Sequence, residues 1–140
     1  MSTALENVLY TAKTHTVGGR TGTGKSSDGE LDVTFSSPGS GKPGTNPEQL
    51  FALGYSACFI GAIQVAAGKM KIKLPEDTSV DAEVDLGKTS AGDFQLAVRL
   101  NVNIPGLEAG VKRELAEAAH QMCPYSRMTR GHVEVELKVV

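Results

Sequence analysis

Apolar and polar residues alternate over five segments of the chain, and this alternation predicts five β-strands. The segments are residues 5–17, 30–36, 79–88, 94–104 and 132–140, each rich in β-branched or aromatic side chains. The third and fourth segments flank a short polar stretch and therefore predict a hairpin. Residues 18–30 are rich in glycine and predict a flexible connection.

Two other segments have helical character. The first helix is expected to start after Thr45 or Asn46, either of which could cap it, with Pro47 in its first turn, and to continue to about Lys69. Residues 107–122 repeat apolar side chains at helical spacing and predict an amphipathic second helix. The order β-β-α-β-β-α-β predicts a single α+β domain with antiparallel sheet over the whole chain, residues 1–140.

The first predicted helix contains an uncharged segment, residues 49–68, that is long enough to cross a membrane. Glutamine, serine, tyrosine and glycine residues interrupt it, and its flanks show no one-sided basic bias. A helix that is apolar on every face is also what the centre of a folded domain requires. We therefore predict a buried core helix and no membrane span.

The composition is that of an ordinary globular protein, with 40% hydrophobic and 21% charged residues and a formal charge of -2. No basic cluster suggests nucleic-acid binding. The N-terminus has no secretory pattern, which predicts a cytoplasmic location.

Two cysteines, Cys58 and Cys123, are 65 positions apart. In a reducing compartment they are either two inert core thiols or a redox couple. Cys58 lies inside the first predicted helix, where burial raises a thiol pKa, so reactivity requires an arginine or lysine brought against it. Cys123 ends the second helix next to Pro124, which leaves it able to move. His120 and Cys123, with Cys58 as a third ligand, would be an incomplete zinc pattern, and no metal is predicted.

Five arginines could supply the cation that Cys58 needs. They are Arg20, Arg99, Arg113, Arg127 and Arg130. Arg20 is favoured because Gly18 and Gly19 let the backbone turn tightly, although a solvated surface charge is the commoner fate of an arginine. Glu48 also has two interpretations: it could complete a capping box with the Thr45 amide, or it could hold an arginine through a bidentate pair.

Two cysteine-centred motifs resemble those of the organic hydroperoxide resistance proteins of the OsmC-like superfamily. They are TNPEQLFALGYSACFIGAI at residues 45–63 and HQMCPYSRMTRGHVEVEL at residues 120–137. With VLYTAKTHTVGGR near the start, the similarity covers essentially the whole chain. The resemblance implies an OsmC-like fold, with antiparallel sheets packed around a long buried central helix, in an intertwined homodimer.

The same resemblance implies a thiol peroxidase that reduces alkyl and fatty-acid hydroperoxides to alcohols. Cys58 matches the peroxidatic cysteine, Cys123 the resolving cysteine, Arg20 the catalytic arginine and Glu48 the glutamate that holds this arginine. The implied cycle passes through a Cys58 sulfenic acid and a Cys58–Cys123 disulfide. A dihydrolipoyl group on a carrier protein is the implied external reductant, and no bound cofactor is expected.

Apolar side chains near the cysteines are candidates for a pocket that takes the alkyl chain, although each could equally be core. They are Phe51, Phe59, Ile60, Met122, Tyr125 and Met128. Along a helix, Glu48 and Cys58 would be about 15 Å apart and on different faces. Arg20 paired with Glu48 would therefore serve the Cys58 of a partner chain in a homodimer. A module of another class, which senses thiol oxidation or binds a hydrophobic ligand without catalysis, is the alternative.

Overall fold

The computed structural model describes residues 2–140. Contacts group the chain into two compact units, one ending at Pro47 and the other spanning residues 48–140. Each unit has its own three-stranded sheet. That residues 1–140 act as one domain stays a prediction.

The first unit is built on an antiparallel sheet. Its strands, in their order across the sheet, are β1 (Thr14–Val17), β2 (Thr23–Ser26) and β3 (Asp32–Thr34). A 3-10 turn, Gly19–Thr21, lies between β1 and β2. Gly24 is buried on β2, and a Cβ added there would lie 3.2 Å from the ring of Phe35. The aromatic ring therefore covers the strand where a side chain would otherwise stand.

Two predictions for this unit are wrong. The strand expected at residues 5–17 is limited to β1, because residues 5–13 have no partner strand in the described part of the chain. The glycine-rich segment at residues 18–30 contains β2, because pairing with strands on both sides outweighs the weak β propensity of Thr-Gly-Lys-Ser. The strand expected at residues 30–36 is confirmed in shorter form as β3.

The second unit combines one long helix, a sheet and two shorter helices. In chain order its elements are α1 (Pro47–Lys69), β4 (Ser79–Lys88), β5 (Phe94–Asn103), α2 (Ala109–Met122), α3 (Pro124–Thr129) and β6 (Glu134–Val139). β4 and β5 form the predicted antiparallel hairpin. β6 pairs with β5 in the parallel direction, because α2 and α3 carry the chain across between them. The prediction of antiparallel sheet is therefore wrong for β6.

The core of the second unit lies between α1, β5 and α2. Tyr55, Phe59 and Ile63 on α1 are fully buried, as are Leu100 on β5 and Leu115 on α2. Fully burying a side chain of this size stabilises the fold by about 1.5–3 kcal/mol relative to its exposure. This core positions one face of α1 against α2 and the residues that follow it.

Helix α1 has the predicted extent, but in the single chain it is buried along one face only. Leu53 is 70% exposed and Val65 is 53% exposed. By length and composition α1 could cross a membrane, and 33% of its most apolar window is buried. The core helix of a water-soluble protein passes the same test, so this finding is weak evidence for a membrane span. The helix that was expected to be buried is buried on one side.

The start of α1 bears on the two interpretations of Glu48. The helix begins at Pro47, which is the position that proline favours. The Thr45 amide donates a hydrogen bond of 2.8 Å to the Thr34 carbonyl. That amide is therefore engaged by β3, and both interpretations of Glu48, as a capping residue and as a partner of an arginine, stay predictions. After α2, the segment expected to interrupt the helix forms α3.

Candidate active site

Cys58 and Cys123 lie side by side although they are far apart in sequence. Cys58 is at the start of the fourth turn of α1, and Cys123 is the residue between α2 and α3. Pro124 starts α3 directly after it, because proline suits a first helical position and ends the preceding helix. Both thiols are free, and their Sγ atoms are 3.5 Å apart. A disulfide requires about 2.05 Å, so a small movement joins them.

The two thiols differ in accessibility. Cys58 is partly exposed, whereas Cys123 is fully buried. Burial raises the pKa of Cys58, and the adjacent Cys123 thiol raises it further. The backbone N–H of Tyr125 hydrogen-bonds to the Cys58 sulfur and acts in the opposite direction. With its pKa raised, Cys58 is a neutral thiol at pH 7 unless a cation approaches it.

A network of polar side chains lies beside the thiols. The Tyr55 hydroxyl is 2.7 Å from Ser126 Oγ and 3.3 Å from Thr129 Oγ1, and all three residues are buried. Ser126 Oγ also lies 2.8 Å from His120 Nδ1. Arg130 Nη2 donates a hydrogen bond of 2.6 Å to the His120 carbonyl. Burial, followed by the charge of Arg130, lowers the pKa of His120, so its ring is neutral at pH 7.

Three aromatic rings flank this region. Phe51 stacks on Tyr125 with ring centroids 5.7 Å apart and planes 20° apart, and Tyr55 packs against both at the same distance. Gly54 lies under Tyr125, because a Cβ at this position would be 3.0 Å from the Tyr125 hydroxyl. The rings form an apolar wall next to the backbone that contacts Cys58.

The six candidate pocket residues are placed differently from one another. Phe51, Ile60, Met122 and Tyr125 are half-buried. Phe59 is fully buried in the core, with its ring centroid 6.3 Å from that of His120, and Met128 is 59% exposed. A substrate-binding role for any of the six stays a prediction.

Arg20 and Glu48 occupy defined local positions. Arg20 is the middle residue of the 3-10 turn in the first unit, after Gly18 and Gly19, which have left-handed φ values of 79° and 60°. Glu48 is in the first turn of α1 and is half-buried. The expected pairing of Arg20 with Glu48, and their action on Cys58, stay predictions.

Two of the other candidate cations have partners of their own. Arg99 forms a bidentate pair with Asp85, at 2.8 Å for each bond, and a 2.9 Å contact with Glu83. Arg130 is bound to the His120 carbonyl. Arg113 and Arg127 are exposed. Across residues 2–140, no group of three or more His, Cys, Asp and Glu side chains could hold a metal ion.

Sequence reasoning missed Tyr55 and Ser126, and it considered His120 only as a metal ligand. A usable signal exists in the spacing: Tyr55 precedes Cys58 by three residues, and Ser126 follows Cys123 by three. Residues three apart share a helix face. Polar side chains that share faces with both cysteines were therefore candidates for a contact beside them.

This chain is similar to known proteins over most of its length. A family model described as OsmC-like protein matches residues 39–138. The organic hydroperoxide resistance protein of Xanthomonas axonopodis pv. citri is 47% identical, over 94% of this chain and 95% of the relative. The crystal structure of OhrB from Bacillus subtilis superimposes with a TM-score of 0.89 at 44% identity, covering 95% of this chain and all of the other.

A second solved structure contains a bound small molecule. It is a putative organic hydroperoxide resistance protein from Vibrio cholerae with captopril in one of the active sites, and it is 38% identical with a TM-score of 0.89 over 96% of this chain and 94% of the other. These matches confirm the OsmC-like α+β fold, with two small sheets and a central helix. The chain belongs to the organic hydroperoxide resistance proteins of the OsmC-like family.

Proposed function

We propose that this protein is a thiol peroxidase that reduces alkyl and fatty-acid hydroperoxides to alcohols, within the role in organic hydroperoxide resistance that its family membership supports. The observation that carries the proposal is the pair of free thiols with Sγ atoms 3.5 Å apart, one partly exposed and one buried. An accessible thiol can meet a substrate, and a buried neighbour can capture the product of that reaction.

In the proposed cycle the Cys58 thiolate attacks the hydroperoxide. The O–O bond breaks, the alcohol leaves, and Cys58 becomes a sulfenic acid. The Cys123 sulfur then attacks the Cys58 sulfur, the S–O bond breaks, and water leaves with formation of the Cys58–Cys123 disulfide. Cys123 is the resolving residue because its burial keeps it from the substrate while its sulfur lies next to that of Cys58.

The proposed reductant is a dihydrolipoyl group on a carrier protein. A dithiol attacks one sulfur of the disulfide and then closes its own ring on the mixed disulfide, which releases both cysteines. In this protein the attacked sulfur is that of Cys58, because Cys58 is the partly exposed partner. The two unpaired cysteines also suit the reducing cytoplasm, which is the proposed location.

Arg20 is the proposed cation for Cys58, and Glu48 orients its guanidinium. A positive charge is required because burial raises the pKa of Cys58. Helix α1 is continuous from Pro47 to Lys69, so the ten residues from Glu48 to Cys58 span about 15 Å. That separation favours a homodimer in which Arg20 and Glu48 of one chain serve the Cys58 of the other.

The exposed apolar surface also supports a homodimer. Leu5, Val8, Leu9 and Tyr10 are between 62% and 91% exposed. On α1, Leu53 adds another exposed apolar side chain. A second copy that covers these residues would remove a large apolar area from water. Light scattering at assay concentration is expected to show a dimer, and a catalytically competent monomer would contradict this part of the proposal.

The stacked, half-buried rings of Phe51 and Tyr125 favour organic hydroperoxides over hydrogen peroxide. Each buried methylene of a substrate chain contributes about 0.8 kcal/mol. The rate constant for reaction with Cys58 is therefore expected to rise with alkyl chain length until the apolar surface is filled.

The reaction itself is tested by adding small excesses of tert-butyl hydroperoxide to the reduced protein and measuring its intact mass. Wild type should lose two hydrogens and consume one equivalent of hydroperoxide. Cys58→Ser should consume none, and Cys123→Ser should stop after one turnover with the sulfenic acid trapped by dimedone. Survival of both wild-type thiols with the hydroperoxide intact would show a non-catalytic module instead.

A further inference from the structure

Two contacts join α1 to the segment that starts at Cys123 and continues through α3, and one of them has no assigned role. Cys58 and Cys123 form the first, with 3.5 Å between sulfurs. The Tyr55 hydroxyl and Ser126 Oγ form the second, at 2.7 Å. Tyr55 and Ser126 are both fully buried, so their hydrogen bond is protected from competition with water.

The spacing of the two contacts is matched on both helices. Tyr55 precedes Cys58 by three residues on α1, and Ser126 follows Cys123 by three residues at α3. Residues three apart lie on the same helix face, so the two contacts are neighbours on one antiparallel interface. A slip of α3 by one residue would move it about 1.5 Å along its axis and rotate it by about 100°. The hydroxyl contact therefore sets the register that places the sulfurs opposite each other.

The Tyr55–Ser126 contact is also held by hydrogen bonds to two further side chains. His120 on α2 accepts from or donates to Ser126 Oγ through Nδ1 at 2.8 Å. A hydroxyl can donate one hydrogen bond and also accept, so Ser126 can bond to His120 and Tyr55 at the same time. Thr129 Oγ1, one turn further along α3, lies 3.3 Å from the same Tyr55 hydroxyl. Ser126 thus connects α1, α2 and α3 around Cys123.

We propose that Ser126 is a positioning residue for disulfide formation: its hydrogen bonds with Tyr55 and His120 hold Cys123 opposite Cys58, so that the Cys58 sulfenic acid becomes a disulfide before a second hydroperoxide reaches it. This inference rests on the proposed peroxidase function. Tyr55 acts with Ser126 as the partner on α1.

Two reactions compete for the sulfenic acid. In the first, the Cys123 sulfur attacks the Cys58 sulfur, the S–O bond breaks, and the oxygen leaves as water with the thiol proton. In the second, another hydroperoxide transfers an oxygen atom to Cys58, which becomes a sulfinic acid while the hydroperoxide is reduced to its alcohol. Only the first depends on where Cys123 lies. Displacement by about 1 Å from a reactive geometry can cost on the order of a hundredfold in rate.

The test measures this competition in the full-length protein. Reduced wild type, Ser126→Ala and Tyr55→Phe are each treated with increasing equivalents of tert-butyl hydroperoxide. Intact mass then separates the disulfide, which has lost two hydrogens, from the sulfinic acid, which has gained two oxygens. Ser126→Thr is the rescue variant because it keeps the hydroxyl. Ser56→Ala is the matched control, because among residues 2–140 the Ser56 hydroxyl bonds only to the Ala52 carbonyl of the same helix, at 2.8 Å.

We expect Ser126→Ala and Tyr55→Phe to form the sulfinic acid at about tenfold to a hundredfold lower hydroperoxide excess than wild type. The rate of the first oxidation of Cys58 should stay within about twofold in every variant. A tenfold change in this rate would require a change of 1.36 kcal/mol in the activation free energy. Ser126→Thr and Ser56→Ala should resemble wild type. If Ser126→Ala does not fold, Tyr55→Phe gives the same comparison, because it keeps the aromatic ring.

Three other outcomes would contradict either the positioning role of Ser126 or the proposed peroxidase function. Equal partition between disulfide and sulfinic acid in wild type, Ser126→Ala and Tyr55→Phe overturns the positioning role, even if thermal stability falls. A slower first oxidation with unchanged partition also overturns it, because the network would then act on Cys58. Failure of wild type to form any disulfide overturns the proposed peroxidase function, and the inference with it.

Discussion

The two units of the chain differ in how many side chains they bury. In the second unit, side chains from α1, β5 and α2 are fully buried together with Cys123. In the first unit, Gly24 is the one buried position among residues 2–47. The two thiols therefore lie in the densely packed unit, whereas the candidate catalytic arginine lies in the sparsely packed one.

This difference bears on how each group is positioned. The Cys58–Cys123 distance is set by packed helices, which resist displacement because cores have few voids. Arg20 is carried by a 3-10 turn after two glycines with left-handed φ, and no residue of that turn is buried. Exposed turns of this kind are expected to open locally at a lower free-energy cost than packed helices.

The largest expected effect is on the packed unit. Leu115 is fully buried on α2, so Leu115→Ala removes apolar contacts and leaves a cavity. We expect the free energy of unfolding to fall by about 2–5 kcal/mol, measured by urea denaturation. Leu86→Ala is the control, because Leu86 at the end of β4 is 47% exposed. A loss as large for Leu86 as for Leu115 would show that burial does not distinguish these sites.

The next prediction asks whether the sparsely packed unit contributes to the chemistry. Arg20→Met removes the proposed cation, so the pKa of Cys58 stays raised by burial. We expect the rate constant for Cys58 oxidation at pH 7 to fall by about a hundredfold, or roughly 2.7 kcal/mol. Stopped-flow measurement of thiol loss gives this rate, and its pH profile should shift to higher pH.

Two other arginine variants make this result specific. Arg20→Lys keeps the charge but loses the planar fork that can contact Glu48 in a bidentate manner, so an intermediate rate is expected. Arg127→Met removes an exposed arginine of α3 and should leave the rate nearly unchanged. Equal rates for Arg20→Met and Arg127→Met would exclude Arg20 as the activating cation.

The contrast between the units also explains which elements the sequence predicts. The hairpin of β4 and β5 and the helix α2 bury one face, so their apolar residues repeat with the period of the element. β2 has no such pattern, because Gly24 is its buried position and the ring of Phe35 covers it. Pairing with neighbouring strands defines β2, and that information is not local.

The residues of the candidate site also divide into those that the sequence predicts and those that it does not. The motifs around Cys58 and Cys123 identify the cysteines, but only the fold brings their sulfurs to 3.5 Å. Tyr55 and Ser126 are 71 positions apart, and each has an ordinary local explanation: an aromatic residue in an apolar helix, and a serine after a proline. Their contact follows from tertiary packing, so sequence patterns could suggest a shared face but not a partner.

A smaller effect tests how tightly the site is packed. A Cβ at Gly54 would lie 3.0 Å from the Tyr125 hydroxyl, and Tyr125 is held by the stack with Phe51. Alanine gains about 0.8–1 kcal/mol over glycine in a helix, but overpacking costs about 1–3 kcal/mol. We expect Gly54→Ala to lower the free energy of unfolding by about 1 kcal/mol in urea denaturation.

Two further variants separate steric strain at Gly54 from the general effect of helix propensity. Gly68→Ala, at a position on α1 with no atom within 4 Å of the added Cβ, should stabilise by up to about 1 kcal/mol. Gly54→Ala combined with Tyr125→Phe should recover part of the loss, because the hydroxyl that causes the close contact is absent. If Gly54→Ala stabilises as much as Gly68→Ala, Tyr125 moves freely and the site is less rigid than the packing suggests.

The smallest expected effect is on the pH dependence of unfolding, and it is tested with one histidine from each unit. Burial and the charge of Arg130 lower the pKa of His120, so as pH falls through about 6.5 the unfolded chain binds a proton that the folded chain does not. This contribution makes the folded state less stable as pH falls through that value, until the lower folded pKa is passed. We expect His120→Gln, which keeps an acceptor for Ser126, to weaken the pH dependence of unfolding measured by urea denaturation between about pH 7 and 5.

His15→Gln, at an exposed position on β1, is the control in the other unit and should leave that dependence in place. Parallel pH profiles for wild type and His120→Gln would mean that His120 titrates alike in the folded and unfolded chains, and its burial would then have no effect on its protonation.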